Sequence, residues 1–436
     1  MRRDIGLNHA TAMVVGTIIG ASIFVQPSEI TGHVPTTLGI FAVWALCGVL
    51  TLCGALVCAE LASTFPQSGG VYVYLRESFS PALGFLWGWA MFWTMHSGII
   101  AAIAVVCARY VGFFVDLGDG GQRFVAIGTI AVLSAVNYLG VRHGSVLQTV
   151  ITAGKLMAIG VIIFLGFAFG GDAHVVAAAA PPPPGADFGA GDFAAAMVAG
   201  LFAFGGWHMV TYNAEETMDP KKTIPRALVL GTLVVTGCYI LLNGVYLFVL
   251  PMATVASSDR VAAEAANAIF GRGGGAAMSA LVVFSTFGAL SGIVLAGPRV
   301  YFAMARDGLL FRWLGELHPR RRTPHRAIVL QGIWASVLVL TGTYRTLFTR
   351  VIYTEWIFFG LMAIGLILLR RRKDLTREYS VWGYPVVPLV FAGSSFTIVA
   401  NQIVSQPVES VTGLGLVLIG LPVYWLWAKK RLVVPG

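Results

Sequence analysis

The sequence predicts an all-α integral membrane protein with about twelve transmembrane helices. Of its 436 residues, 57% are hydrophobic and only 11% are charged, whereas soluble domains contain about half apolar and about a quarter charged residues. The charges cluster, which leaves uncharged stretches longer than the ~20 residues that a helix needs to cross a bilayer. Because a segment in lipid must satisfy its own backbone hydrogen bonds, apolar stretches of this length indicate helices rather than the alternating strands of a barrel.

Dividing the chain at its polar loops defines the expected spans. Their bounds are residues 8–31, 36–62, 81–114, 123–140, 145–170, 193–214, 227–251, 276–304, 325–343, 349–370, 381–403 and 409–428. If the N-terminus is cytoplasmic, most of the 29 Lys and Arg residues lie on the cytoplasmic side, and this bias predicts that both termini are cytoplasmic. The run Pro181–Pro184 then falls in a long outer loop, where it favours a stiff polyproline turn.

The basic residues that give the net charge of +9 lie mostly in the same loops. It does not indicate nucleic-acid binding, because the basic residues lie between spans rather than on a soluble face. The five cysteines all lie within apolar stretches, and their odd number fits no disulfide framework. We therefore expect buried packing cysteines, no nucleic-acid partner, no metal and no cofactor.

Two spans contain glycine pairs that weaken a helix at mid-membrane depth. The first span carries Gly16 and Gly20, and the sixth carries Gly205 and Gly206. A single pair usually serves close helix packing, but these two pairs open segments five spans apart. Because five is odd, the second segment enters the membrane from the opposite side. Interrupted helices at matched positions of inverted halves are typical of the substrate site of secondary transporters.

This pattern predicts an inverted repeat of five plus five helices. We expect the first repeat in residues 1–170, a periplasmic Pro-rich loop at 171–190, the second repeat in 191–370, and two further helices with a short cytoplasmic tail in 371–436. Each interruption exposes N–H groups, which suit a carboxylate, and free carbonyls, which suit an ammonium. Main-chain groups alone can therefore hold a zwitterionic amino acid.

The residues around both interruptions form extended motifs. Residues 16–24 read GTIIGASIF and residues 200–207 read GLFAFGGW. Further motifs are Glu60-Leu61, residues 66–70, Glu215-Glu216, Asp219-Pro220, residues 224–227, Arg299, residues 306–308 and His318-Pro319. Together they resemble the amino acid-polyamine-organocation superfamily, and within it the L-type amino acid transporter family, whose first helix carries GTIIGSGIF. The resemblance covers most of the chain and implies the LeuT-type fold with discontinuous helices 1 and 6.

The resemblance also implies a substrate site built from both interrupted helices. Its members are Ile18, Ile19, Gly20, Ala21, Ser22, Phe202, Ala203, Phe204, Gly205 and His208. The N–H groups of Ala21 and Ser22 are expected at the substrate carboxylate. The carbonyls of Ile18, Phe202 and Gly205 are expected at its ammonium.

The same resemblance assigns roles to the aromatic residues of the site. Phe202 stands where the family places an aromatic gate, and Phe204 is expected to line the pocket. Two positions depart from the family pattern: Ser22 replaces a usual glycine, and His208 replaces the asparagine common in mammalian members. The departure at His208 bears on which substrate side chains are accepted.

Lys155 is a charged residue deep in the fifth span. An ammonium in lipid is costly, so it should face the bundle interior or a wet cavity, unless its long stem reaches the interface. In the resemblance, a lysine here occupies the space of a sodium ion in sodium-independent relatives and ties the fifth helix to the first. Our hypothesis is that Lys155 substitutes for the cation. A proton-coupled symporter is the alternative, because a lysine can also carry a proton.

Four other polar residues lie within or beside the spans. Glu60, at the cytoplasmic end of the second span, and Glu355, towards the outer end of the tenth, are each explained equally well by interface solvation or by a gating role. His96 is expected to hydrogen-bond within the bundle, and Arg299 is expected to order the inner gate or a loop.

These features predict a secondary transporter that moves neutral L-amino acids by alternating access, without sodium, as an exchanger. Neutral substrates are expected because no acidic side chain near the interruptions is available for a cationic one. A membrane-embedded enzyme is the rival of another class, but the sequence contains no HExxH or GxSxG motif. A channel would be expected to show a repeated polar filter.

The expected partners are an amino-acid substrate and membrane lipid. Mammalian L-type members join a heavy chain through a cysteine between the third and fourth helices, and residues 115–122 contain none here. We therefore expect no disulfide-linked heavy chain, and a location in a bacterial inner membrane.

Overall fold

The computed structural model describes residues 5–67, 69–139, 144–172, 188–321, 323–342 and 344–432. Within these ranges the chain forms helices and no strand, apart from an isolated bridge between Ile5 and Thr217. The run Pro181–Pro184 and most of the expected loop 171–190 lie outside the described residues.

The described residues of the first half of the chain form eight α-helices and two short helices of other types. They are α1 (Leu7–Ile18), a 3-10 helix (Ser22–Phe24), α2 (Gln26–His33), α3 (Thr37–Thr64), α4 (Val71–Ser78), α5 (Pro81–Ala90), a π-helix (Met91–Met95), α6 (His96–Val111), α7 (Gly118–Leu139) and α8 (Gly144–Phe169).

The second half continues in the same manner. Its helices are α9 (Ala190–Ala203), a 3-10 segment (Trp207–Glu216), α10 (Pro220–Val249), α11 (Met252–Ser257), α12 (Val261–Phe270), α13 (Arg272–Arg306), a 3-10 helix (Arg312–Gly315), α14 (His325–Thr341), α15 (Tyr344–Leu369), α16 (Val386–Ser405), α17 (Pro407–Leu418) and α18 (Gly420–Leu432).

Seven helical stretches of the described residues are long and apolar enough to cross a membrane. They are Thr37–Thr64, Pro81–Val111, Ile151–Phe169, Ala190–Ala214, Pro220–Val249, Gly273–Arg306 and Val386–Ser405. Shorter apolar helices add Val261–Phe270, His325–Thr341, Tyr353–Leu369 and Ser410–Leu426. Many large apolar side chains, such as Phe164 and Trp425, are exposed on the outer surface, as lipid contact requires. The all-helical membrane class is confirmed, whereas the count of twelve spans stays a prediction.

The structure interrupts the first and sixth predicted spans. The helix α1 ends at Ile18, and the chain resumes as a 3-10 helix at Ser22 before α2. The helix α9 ends at Ala203 and the following segment is 3-10 rather than α-helical. The predicted span 409–428 also divides, between α17 and α18.

The parts of the two interrupted helices pack against one another. The helix α1 contacts the 3-10 segment Trp207–Glu216, as well as α8 and α10, and α9 contacts α2. At the far end from the interruptions, Ile5 N–H donates to the Glu216 carbonyl over 3.1 Å, and Met218 N–H donates to the Ile5 carbonyl over 2.9 Å. The chain before α1 is therefore joined to the exit of the second interrupted helix.

A proline in α13 leaves one main-chain carbonyl without its usual N–H donor, and a side chain on another helix donates to that carbonyl instead. Residue 298 is proline and cannot donate to the Val294 carbonyl four residues earlier. The side chain of Gln331 on α14 donates to that carbonyl over 3.3 Å. His96 on α6 donates from Nε2 to the neighbouring Ile293 carbonyl over 2.7 Å, which confirms the expected bond within the bundle. Both bonds fix the wall of α13 beside the interruptions.

A buried carboxylate joins the end of α3 to the chain after α15. Glu60 is fully buried, and it accepts two hydrogen bonds from Arg370, at 2.8 and 2.5 Å. It also accepts one from the Val381 N–H over 2.7 Å. Interface solvation therefore does not explain Glu60, because its partners are protein groups rather than water.

A second charged cluster joins α4 to the end of α13. Asp307 accepts from the Tyr72 hydroxyl and from Arg76, both over 2.5 Å. Burial and the bond to Asp307 raise the pKa of the Tyr72 hydroxyl, so the phenol stays protonated and donates. This cluster and the Glu60 cluster lie outside the interruptions and connect helix ends.

Candidate functional site

The interruption in the first span leaves donors without acceptors. Gly20 N–H donates to the Ile18 carbonyl over 2.7 Å, which turns the chain tightly after α1. Within the described residues, the N–H groups of Ala21, Ser22 and Ile23 donate to no main-chain or side-chain acceptor. Unpaired N–H groups at the start of a helical segment carry partial positive charge and suit an anion.

The second interruption depends on a glycine that no other residue replaces well. Gly206 has φ of 98°, in the left-handed region. A Cβ at this position would lie 3.1 Å from the Thr17 carbonyl oxygen. The Thr17 hydroxyl oxygen also lies 3.2 Å from the Gly206 carbonyl, and it lies closer to the Met13 and Val14 carbonyls of its own helix, at 2.8 and 3.0 Å. The two interruptions are therefore in direct main-chain proximity.

Tyr239 on α10 lies between the ends of both interrupted helices. Its hydroxyl oxygen is 3.0 Å from the Ile18 carbonyl and 2.9 Å from the Ala203 carbonyl. A phenol has one proton and donates to one acceptor at a time. Sequence reasoning missed this residue, although a tyrosine within an apolar span usually needs a partner for its hydroxyl.

Lys155 reaches the first interruption from α8. Its side chain is 2% exposed, and Nζ donates to the Ile19 carbonyl over 3.1 Å. The ammonium therefore faces the bundle interior and does not extend to the interface. The expectation that Lys155 ties the fifth span to the first agrees with this contact.

A small cavity of about 20 Å³ lies between the two interruptions. Its lining residues are Thr17, Ile18, Gly20, Ser22, Ile99, Ile103, Phe202, Gly205, Gly206, Met209, Ile293, Val351 and Glu355. The lining therefore includes five predicted site residues, namely Ile18, Gly20, Ser22, Phe202 and Gly205. The remaining walls come from α6, α13 and α15 and are mostly apolar, as is usual for small-molecule sites.

Five predicted site residues lie outside this lining. Ile19 and Ala203 present their carbonyls to Lys155 and Tyr239 instead. Ala21 is fully buried beside the cavity. The ring of Phe204 packs on Tyr239, with centroids 5.0 Å apart.

His208 also lies behind the cavity wall rather than in it. It is buried among the rings of Trp87, Trp207, Tyr212 and Phe359, at centroid distances between 5.0 and 5.9 Å. The residue is positioned to shape the wall through its aromatic neighbours.

Glu355 is the lining residue that sequence reasoning placed wrongly. It was expected near the outer interface, but it is 3% exposed and lines the cavity. The helix α15 begins at Tyr344, so Glu355 lies about three turns inside it. The sequence did contain a signal, because an acidic residue within an apolar stretch is unusual. Which side of the helix Glu355 occupies could not be predicted without knowing how the helices pack.

Arg299 lies away from the cavity, near the exit of the second interrupted helix. Its guanidinium is 3.4 Å from the Glu216 carboxylate. Both side chains are about one-quarter exposed, so the pair orders the exit segment rather than the cavity.

Comparison with known proteins agrees with this arrangement. The profile of the Amino acid permease family matches residues 5–426. The serine/threonine exchanger SteT of Bacillus subtilis (strain 168) is 33% identical over 436 residues, covering 99% of this chain and 98% of the relative. The b(0,+)-type amino acid transporter 1 of Homo sapiens is 32% identical, covering 99% of this chain and 90% of the relative.

A third relative, the Asc-type amino acid transporter 1 of Mus musculus, is 32% identical and covers 99% of this chain and 82% of the relative. All three matches run through the interrupted helices as well as the helices around them. The full-length matches and the interrupted helices lead to the same conclusion: the chain belongs to the amino acid permease family, within the amino acid-polyamine-organocation superfamily.

Proposed function

We propose that this chain is a sodium-independent exchanger of neutral L-amino acids that works by alternating access. The observation that carries the proposal is the meeting of two interrupted helices at one cavity. Unpaired N–H groups lie on one side of the first interruption and helix-end carbonyls on the other. This pair of features matches the carboxylate and the ammonium that all amino acids share.

The contact of Lys155 supports sodium independence. Nζ lies 3.1 Å from the Ile19 carbonyl, within the first interruption. A carbonyl at such a place is also a suitable ligand for a sodium ion. The Lys155 amine already occupies this carbonyl, so no sodium ion needs to bind there before substrate.

The names of the relatives support exchange. The bacterial relative is named a serine/threonine exchanger, and this chain matches it from end to end. We propose by this likeness that small amino acids such as serine and threonine are among the substrates. The remaining parts of the proposal follow the sequence: two inverted repeats, both termini cytoplasmic, a bacterial inner membrane, and no disulfide-linked heavy chain.

Uptake into proteoliposomes tests the proposal. Purified protein is reconstituted with or without internal amino acid, and radiolabelled amino acids are added outside in sodium or choline buffer. We expect uptake that requires internal amino acid and that is equal in the two buffers. Uptake into empty liposomes driven by an inward proton gradient would instead establish the proton-coupled symporter. A requirement for sodium would contradict the role given to Lys155.

A further inference from the structure

One acidic side chain in the cavity forms no hydrogen bond or ion pair with the described residues. Glu355 is 3% exposed and lines the cavity between the interrupted helices. Among the described residues, no side chain or main-chain group forms a hydrogen bond or ion pair with its carboxyl group. Glu60, by contrast, is a fully buried carboxylate with three hydrogen bonds.

An unpartnered carboxyl group inside a membrane protein is costly in either protonation state. The ionised form needs hydrogen-bond donors, and the protonated form needs an acceptor as well. Among the described residues, no group supplies either to Glu355. A ligand that brings a donor into the cavity would satisfy the group, and binding would then be stronger for ligands that carry such a donor.

Glu355 lies on a different helix from the groups that suit the shared part of an amino acid. The unpaired N–H groups and the helix-end carbonyls belong to the interruptions. Glu355 belongs to α15, one turn after Val351, and shares its wall with Ile99 and Ile293. Apolar side chains around one polar group are typical of a pocket that selects a side chain.

We propose that Glu355 receives a hydrogen-bond donor at the end of the substrate's side chain, a hydroxyl or an ammonium group. The pocket therefore selects amino acids with a donor over apolar amino acids of the same shape. This inference rests on the proposed exchange of amino acids and refines its substrate class, which an ammonium-bearing side chain would extend beyond neutral amino acids. It replaces the expectation that no acid is available to a cationic side chain.

Competition between isosteric amino acids tests the inference in proteoliposomes. Uptake of one radiolabelled substrate is measured in the presence of unlabelled competitors in three pairs: threonine and valine, serine and 2-aminobutyrate, and lysine and norleucine. The two members of each pair are similar in size, and only the first has a hydrogen-bond donor at the end of its side chain. For the wild type we expect the donor-bearing member of at least one pair to compete at least about tenfold better. In Glu355→Leu the ratio should fall to about one.

The variant Glu355→Gln distinguishes the two donors. Glutamine keeps an acceptor oxygen but loses the charge, so a preference for a hydroxyl persists and a preference for an ammonium disappears. Glu378→Gln and Glu378→Leu are the matched controls, because Glu378 pairs with Lys221 at the surface. Both should keep the wild-type ratios. Gel filtration of each purified variant establishes that it is folded.

Two results would overturn the inference while leaving amino-acid transport in place. One is a wild type that competes equally with both members of every pair. The other is a Glu355→Leu variant that keeps the wild-type ratio, since a proton site or a contact with the α-ammonium affects all substrates alike. Absence of any amino-acid flux in the wild type would instead contradict the proposed function itself.

Discussion

Replacing Tyr239 by phenylalanine should lower kcat/KM for transport by the amount that corresponds to the loss of one buried hydrogen bond. The hydroxyl lies within bonding distance of the Ile18 and Ala203 carbonyls. The Ile18 carbonyl keeps the Gly20 N–H as a donor. The Ala203 carbonyl has no other donor among the described residues, so Tyr239→Phe leaves one carbonyl unpaired.

The size of the effect follows from measured hydrogen bonds within membrane proteins. These average about 0.6 kcal/mol and reach about 1.7 kcal/mol. If the bond positions both interruptions for the substrate, kcat/KM should fall by about 3- to 20-fold. Initial rates of exchange in proteoliposomes, measured over a range of substrate concentrations, give this ratio directly.

The chain offers a close control for Tyr239→Phe. Tyr246 lies two turns later on α10, is also fully buried, and its hydroxyl has no partner among the described residues. Tyr246→Phe removes the same atom without breaking a bond, so kcat/KM should change by less than about twofold. Equal losses in the two variants would refute the positioning role of Tyr239.

Three further perturbations test separate contacts. Lys155→Met should reduce sodium-independent exchange at least about tenfold, because it removes a charged donor from the first interruption; exchange at the wild-type rate would contradict this. Gln331→Leu should lower the midpoint of thermal denaturation, and the loss should be smaller in a Pro298→Ala background, where residue 298 regains its N–H. Glu60→Gln should destabilise the protein by about 3 kcal/mol, because it leaves an arginine without its buried partner. Asp374→Asn, at an exposed ion pair, should leave the denaturation midpoint nearly unchanged.

The class of fold was predictable because lipid constrains the whole sequence. Composition and span length indicate membrane helices without knowledge of any contact. The glycine pairs located the interruptions because glycine lowers helix stability locally, whatever packs nearby. At Gly206 the structure adds the reason, since a positive φ and the approach of Thr17 both require a residue without Cβ.

The side-chain contacts of the site were less predictable because they depend on which face of a helix points inward. Tyr239 and Glu355 lie in apolar stretches where a hydrophobic pattern does not distinguish the faces. Gln331 is explained only by a proline on another helix. Such partners are distant in sequence, and no local rule connects them.

The bridge between Ile5 and Thr217 has a consequence for motion. The helix α1 and the 3-10 segment after Gly206 are in contact at two places: at Thr17 near the cavity, and at the bridge at their far ends. Because the two elements are in contact at both ends, we expect them to move together, so that the path that opens on that side forms beside the pair and not between its members. We then expect the transport cycle to move the pair as a single body, with the distance between α1 and the 3-10 segment nearly constant while other distances change.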